Sequence, residues 1–588
     1  MLARRYGLLA LIVAIVLLAA LPLPDFWITQ LNYIALYSLV GLGLVLLTGV
    51  AGLTSFGQAA FVGIGAYTTA WLTLNTGLSP WLTLFIGLAI TGVSALIVAG
   101  ITLRMSGHYL PLATIAWGLS LYYLMGNVDA LGKYDGLLGI QTLSLFGIEL
   151  GQGRGFFLFA WSVVVLAAVA ILHLLDSRAG RAMRSLRTGT QMAEAMGVNT
   201  LRYKIIIFVI AALLASVSGW LFAHFQRSVN PSPFGLKMGI EYLFMTVVGG
   251  VGYVWGAITG ALLTKLLEDQ LQVLLPMLIG TSGSYETIVF GIVLVLTLKF
   301  LPNGLWSLVE QKLPRPQRLM DWANSPALSE RNKPAAGELV LDVHAIRKQF
   351  GGLVAVNDIG FQIKAGQIVG LIGPNGAGKS TTFNLITGVL SLTSGKVVFR
   401  GEDISGLRSR EIASRGMSRT FQHVKMIPDM TVLENVALGA HLRGHKDVVS
   451  AMTRWNRGEE RQLLREAQRQ LERIGMGAHL HEQAGNLAMG PQRLMEIARA
   501  LCSDPALLLL DEPAAGLRHK EKQALADVLR QLRDEGMSIL LVEHDMDLVM
   551  DVCDHLVVME FGTLLTQGTP VEIQQSPAVR AAYLGTEH

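Results

Sequence analysis

Two hydrophobic patterns divide this chain. In the first half apolar residues run on unbroken, and the runs approach the ~20 residues a helix needs to cross a bilayer. The clearest are 7–23, 39–50, 81–103, 156–175, 205–225, 242–263 and 287–301, and after Leu301 no such run recurs. Beyond it, short apolar blocks such as Ile368–Ile372, Ala506–Leu510 and Ser538–Val542 lie between more polar segments. Such blocks are typical of parallel strands buried on both faces. The pattern predicts an all-α polytopic membrane domain over 1–310 and an α/β domain over 339–588.

Composition sharpens the division. The chain has 588 residues, 52% hydrophobic and 15% charged, with a mean hydropathy of +0.47. Only 25 of its 90 Lys, Arg, Asp and Glu residues precede residue 303. The net charge of +4 is small and no basic face is concentrated, so nucleic acid is not an expected partner, whereas membrane lipid is. Arg4 and Arg5 precede an apolar core without a small-residue cleavage site, so this segment reads as a retained first helix. Cys502 and Cys553, the only cysteines, lack metal-ligand spacing and read as reduced core residues.

Orientation follows from Lys and Arg in short loops. The richest loop, 176–204, carries Arg178, Arg181, Arg184, Arg187, Arg202 and Lys204, and it is expected to be cytoplasmic, with both termini. This requires an even number of crossings, about eight to ten in all. Before residue 176 it can be met with six crossings if residues 52–72 and 110–125 both cross, and one later span must be split or re-entrant. Gly249-Gly-Val-Gly252 is the candidate for that break. Together with Gly52-Leu-Thr-Ser-Phe-Gly-Gln58 it admits two readings, close helix packing through small residues or broken helices lining a substrate path. Charged residues within the spans are nearly absent, which argues against a proton relay or an ion channel. Residues 311–338, with Pro314, Pro316, Pro326 and Pro334 among charges, read as a solvated tether that transmits no force.

The second half carries specific chemistry. Gly373-Pro374-Asn375-Gly376-Ala377-Gly378-Lys379-Ser380-Thr381 follows an apolar strand and opens a helix, which is the phosphate-binding loop in its required setting. Its glycines let backbone N–H groups face phosphate oxygens, Lys379 reaches the β- and γ-phosphates, and Ser380 serves Mg²⁺. The chain therefore binds a nucleoside triphosphate. Asp511 and Glu512 end an apolar strand, one suited to hold Mg²⁺ and the other to polarise the attacking water. His544, at the end of another strand, is placed to sense the γ-phosphate, and Phe350 to stack on an adenine.

Taken together, residues 339–588 resemble the nucleotide-binding domain of ABC transporters, which implies a P-loop fold with a helical subdomain, ATP as ligand and Mg²⁺ as its metal. In that family the position of Gln422 coordinates the metal or water and signals to the membrane domain. Leu487-Ala488-Met489-Gly490-Pro491-Gln492 stands where the signature loop closes on a partner's ATP. Ala488 departs from the family's serine, and Pro491 removes a backbone N–H. These departures fall on the site this chain completes for its partner and leave the site on its own phosphate loop as the family has it.

A finer resemblance is to branched-chain (hydrophobic) amino acid importers, with permease and ATPase fused. It rests on Thr381–Gly388, Met430–Asn435 and Ala582-Tyr-Leu-Gly585 for the ATPase, and on Gly52–Tyr67, Ser106-Gly-His-Tyr109, Arg178–Lys204 and Leu301–Leu305 for the permease. Glu194-Ala195-Met196-Gly197 resembles the coupling helix that docks on the ATPase. The resemblance implies ATP-driven uptake across a bacterial inner membrane, with a periplasmic binding protein delivering the substrate. Such an importer needs two permeases and two ATPases, so the partner is a separate permease and ATPase or a second copy of this chain. Similar importers carry urea, short amides or aromatic acids. An exporter half-transporter shares the domain order, but its long charged cytoplasmic helices have no counterpart here.

Overall fold

The structure, a computed structural model, describes residues 2–103, 109–145, 147–151, 153–279, 286–312 and 322–584. Ser106–His108, Pro314, Pro316 and Gly585 lie outside the described residues. The chain forms two compact units, one of residues 1–176 and 201–319, the other of residues 177–200 and 320–588. The basic loop and the later part of the linker thus belong with the second unit.

The first unit is helical. It comprises α1 (Leu2–Ala20), α2 (Asp25–Leu44), α3 (Gln58–Thr76), α4 (Pro80–Thr102), α5 (Tyr109–Asn127) and α6 (Arg154–Leu175). After α7 (Arg178–Thr188) and α8 (Thr190–Ala195), which pack in the second unit, it resumes with α9 (Thr200–Gln226), α10 (Leu236–Gly249), α11 (Val254–Ile279), α12 (Glu286–Phe300) and α13 (Trp306–Lys312). Among the described residues four helices are long and apolar enough to cross a membrane: α2 with the π-helical turn Val45–Val50, α4, α6 and α9. Helices α10 and α11 pass the same test as a pair bent by 116°. The bend falls at the glycine-rich stretch expected to interrupt a span.

The glycines serve close packing, both between helices and at the breaks. A Cβ on Gly65 would lie 2.2 Å from the Ser216 carbonyl, and one on Gly219 would lie 1.9 Å from that of Val62. Only glycine lets α3 and α9 approach so closely. Gly49, by contrast, lies where the π turn after α2 meets the break after α10, and its Cβ would fall 1.7 Å from the Val251 carbonyl. The spans are not wholly free of charge: Lys265 of α11 pairs with Glu268 at 2.9 Å and Asp269 at 3.2 Å. Lys265 bridges the two acids within little more than one turn of α11.

The second unit is built on two sheets. Strands β1 (Leu339–Phe350), β2 (Leu353–Lys364) and β4 (Ser394–Phe399) form an antiparallel sheet. The other sheet has the order β5-β6-β7-β3-β8-β9, in which β3 is Ile368–Ile372, β5 Met417–Arg419, β6 Leu507–Asp511, β7 Ser538–Val542, β8 His555–Glu560 and β9 Thr563–Gly568. Its first five strands are parallel, and β3, β6 and β7 are buried throughout. Their carboxyl ends therefore share one edge, where an α/β sheet places its ligand. The helices used below are α14 (Lys379–Ile386), α15 (Ser409–Arg415), α16 (Val432–Ala437), α17 (Val448–Met452), α18 (Arg457–Arg473), α19 (Met489–Leu501) and α20 (His519–Asp534). Helices α16, α18 and α19 pack together as the helical subdomain.

The solvated-tether reading of the linker is corrected for its second part. Trp322 is 7% exposed within the hydrophobic core, and its indole N–H donates to Gln468 of α18 at 2.5 Å. Arg465 donates to the Ser325 carbonyl and Arg469 to Glu330. Proline and charge suggested solvation, but a single buried tryptophan outweighs them.

Candidate functional site

The phosphate loop joins β3 to α14. Gly373, Gly376 and Gly378 have φ of +149°, +83° and +93°, values that side chains rarely adopt. Gly378 is the N-cap of α14 and gives no side-chain acceptor, so the first N–H groups of the helix stay open to an anion. Asn375, Gly376 and Ser380 are exposed, Pro374 and Thr381 are half-buried, and Ala377 is buried beneath them. Lys379 folds back on its own loop, donating to the carbonyls of Gly373 at 2.7 Å and Pro374 at 3.0 Å. Burial pulls its ammonium below the usual value, and the Glu512 carboxylate opposes that shift. A phosphate offers this lysine a stronger partner than two carbonyls.

The acids gather at the same edge. The Gln422 amide donates to Glu512 Oε2 at 2.9 Å, and His544 Nδ1 lies 3.8 Å from that oxygen. Glu512 holds φ +47°, an uncommon backbone for a side chain, while its N–H donates to the Val542 carbonyl at 2.8 Å. Asp511 is buried, Arg419 lies 3.9 Å from its Oδ2, and Oδ1 has no hydrogen-bond partner among the described residues. Burial raises its pKa to about 6, with Arg419 opposing. A buried carboxylate oxygen with no donor suits a hard divalent cation, so Asp511 fits Mg²⁺. Phe350 closes the β1–β2 hairpin, 45% exposed, with Lys348 Nζ 5.0 Å from its ring centre.

Two residues that the sequence did not single out organise these groups. Arg419 sits between Phe383 and Phe421, its guanidinium 4.6 and 4.8 Å from the two ring centres, and donates to Asn384 and Thr387. Glu543, 1% exposed, accepts from the N–H groups of Ala514, His544 and Asp545. It ties the turn after Glu512 to the turn bearing His544. Neither has a local motif, and only the strand order reveals their roles.

The signature loop lies at the start of α19. Leu487 is buried, Ala488 is the N-cap without a side-chain bond, Met489 is 55% exposed, and Gly490 lies against Glu521. Pro491 falls in the first turn, where an N–H has no intrahelical acceptor, so the fold tolerates it. What Ala488 lacks is a side-chain hydroxyl, while the first backbone N–H groups of the helix remain. Gln492 caps the Leu487 carbonyl at 2.8 Å, and Arg493 holds the carbonyls of Phe421 at 2.9 Å and Gln422 at 2.5 Å.

The basic loop packs within this unit. Ala195 and Met196 are buried, α8 lies against α15, and Gly197 at φ +79° leaves no room for a Cβ, which would fall 2.3 Å from Leu442 Cγ. Glu194 turns inward to Thr200 at 2.9 Å. The strongest contacts come from α7. Arg181 forms a two-pronged pair with Glu460 of α18, with side chains 1% and 3% exposed. The Arg178 N–H donates to Glu460 at 3.1 Å and its guanidinium to the carbonyls of His441 and Lys446. The sequence offered these arginines only as a sign of orientation.

Family comparisons agree with this architecture. Residues 27–298 match the branched-chain amino acid transport system permease component, 356–515 match ABC transporters, and 563–588 match the branched-chain amino acid ATP-binding cassette transporter family. The high-affinity branched-chain amino acid transport ATP-binding protein LivG of Salmonella typhimurium is 43% identical over 249 residues, which is 98% of that protein and 42% of this chain. The chain belongs to the branched-chain amino acid ABC transporters. It joins a permease and an ATP-hydrolysing cassette in one polypeptide, a membrane protein that works in a complex with further subunits. A probable LivG of Archaeoglobus fulgidus is 35% identical over 96% of its length and 42% of this chain. A solved nucleotide-free cassette from an ABC transporter is matched over its whole length and 42% of this chain, at 31% identity and a TM-score of 0.38.

Proposed function

We propose that this transporter uses ATP to import branched-chain amino acids across the bacterial inner membrane, its ATPase and both termini lying in the cytoplasm. One permease and one ATPase make up half of the working assembly. The observation that best supports this is the packing of residues 177–200 within the ATPase unit, although the sequence on both sides of them belongs to the helical unit. A segment shared in this way can carry motion between the two.

On this reading Glu512 accepts the proton of the attacking water. Its bond to Gln422 holds the carboxylate until a γ-phosphate and water compete for the amide. Lys379 leaves its two carbonyls for phosphate oxygens, and His544 orients the water. Ser380, Gln422 and Asp511 would hold Mg²⁺, which would supply positive charge beside the phosphates. Residues 194–197, seated beside Leu442, transmit closure of the ATPases to the helices, and a periplasmic binding protein delivers substrate. Ala488 and Pro491 favour an assembly with a different permease and ATPase over two copies of this chain.

The test is reconstitution in proteoliposomes with candidate companion subunits and binding protein. Uptake of leucine, isoleucine and valine, dependent on ATP and lost with Lys379→Ala, is expected. Uptake of urea in place of these amino acids refutes the substrate reading. Full substrate-stimulated hydrolysis by this chain alone refutes the asymmetric assembly.

A further inference from the structure

The helical unit buries polar groups for which the fold supplies no partner. Both amide atoms of Gln58 are buried and unbonded among the described residues, at 1% exposure. So are both amide atoms of Asn32 and the Tyr67 hydroxyl. An unmet buried polar group is costly to a fold, and it is rarer still where no water is at hand.

The position of Gln58 gives its amide a meaning. It is the first residue of α3, directly after the unwound residues 51–57, and the N-cap Gly57 supplies no side-chain acceptor. In a helix the side chains lean toward the N-terminus, so the carboxamide is directed back to the break. That break is pressed against its neighbours: a Cβ on Gly239 would lie 2.3 Å from the Phe56 carbonyl. One turn further along the same face is Val62, which lines a cavity of about 20 Å³ walled by Tyr37, Phe222, Phe234 and Tyr242. Asn32 lies one turn from Leu36 of the same wall, and Tyr67 packs edge-on against Phe234 at 6.1 Å. In this state the cavity admits one water.

We propose that the start of α3 is a substrate site within the permease, at which Gln58 and the open helix N-terminus bind the α-carboxylate while the aromatic cavity receives an apolar side chain. The helix end carries partial positive charge and the carboxamide supplies a donor, which together suit a carboxylate. The aromatic walls suit a branched aliphatic group and exclude a second charge. This rests on the reading of the chain as an amino acid importer and names the group that selects the cargo inside the membrane.

The test is the assembled transporter in proteoliposomes, comparing leucine uptake, hydrolysis stimulated by loaded binding protein, and thermal unfolding. Gln58→Leu removes the unmet amide at similar volume. It is expected to leave the unfolding temperature unchanged or higher, while uptake falls at least tenfold and the stimulated hydrolysis falls with it. Gln58→Glu sets a carboxylate against the substrate's own and is expected to fall further. Wild-type uptake in Gln58→Leu, loss of its folding, or a milder defect in Gln58→Glu overturns the site. A wild-type complex that carries no branched-chain amino acid overturns the reading beneath it, before any variant is compared.

Discussion

Removing the charge of Glu460 should uncouple transport from hydrolysis. Its side chain is 3% exposed and faces Arg181 at 1%, and it also accepts the Arg178 N–H. Glu460→Gln leaves the guanidinium of Arg181 buried without a counter-ion. Breaking one side of such a pair costs ~3–5 kcal/mol, because desolvation of the remaining charge is no longer offset. At ~1.4 kcal/mol per factor of ten, the packed state of residues 177–200 weakens by at least ~100-fold. The phosphate loop is built from other elements, so ATP binding and basal hydrolysis should stay within about twofold, inside the ordinary scatter of a remote substitution. Leucine uptake and substrate-stimulated hydrolysis should fall together. Removing both charges as Arg181→Met with Glu460→Leu should recover most of the loss, since an apolar pair of similar volume is often as stable as a buried ion pair. Glu194→Ala should be mild, since that side chain accepts from Thr200 of its own loop. Normal uptake by Glu460→Gln, or a double variant no better than the single, would refute the reasoning.

Three further outcomes are expected. Glu512→Gln should keep ATP binding and lose most turnover, read by nucleotide-binding and phosphate-release assays, because an amide cannot take the water's proton. Burial, with Arg178 and Arg181 nearby, depresses the pKa of His441 to about 3. The folded state thus rejects a proton that the unfolded chain accepts near 6.5, so stability is full above pH 6.5 and is lost as pH falls toward 3, ~2 kcal/mol by pH 5. His441→Gln should flatten that slope in thermal unfolding of the ATPase unit. Trp322→Ala should destabilise the helical subdomain by ~3–5 kcal/mol, read by denaturant unfolding, since it empties a core position and strands Gln468.

The membrane spans and the nucleotide site were legible because each rests on local pattern. Lys379 opens a helix just after one apolar strand and Asp511 ends another, so the string itself marks both. The break after α10 was legible too, since glycines interrupt an apolar run there and parity demanded an interruption. Arg181, Glu460, Glu543 and Trp322 were not. Each acts through a partner distant in sequence, and neither spacing nor residue type names a partner. Arg181 carried an adequate explanation as an inside-positive charge, which concealed that it is buried and paired. Gln58 was noticed only among glycines, because an unmet amide is a property of the surroundings rather than of the string.

The loop arginines and the linker converge on one helix. Helix α18 carries Glu460 for the loop and Gln468, Arg465 and Arg469 for residues 322–330. It packs on α19, whose Arg493 holds the carbonyls of Phe421 and Gln422, and the Gln422 amide holds Glu512. A continuous set of contacts therefore joins Arg181 to the residue proposed to activate water. On the proposed mechanism, release of Gln422 from Glu512 by nucleotide would act at one end of this set, and displacement of residues 177–200 at the other. The second attachment, through Trp322, constrains the same helix without touching the nucleotide edge. Lengthening the chain ahead of Trp322 should thus spare transport, while loosening Trp322 itself should weaken the coupling of uptake to hydrolysis even where hydrolysis survives.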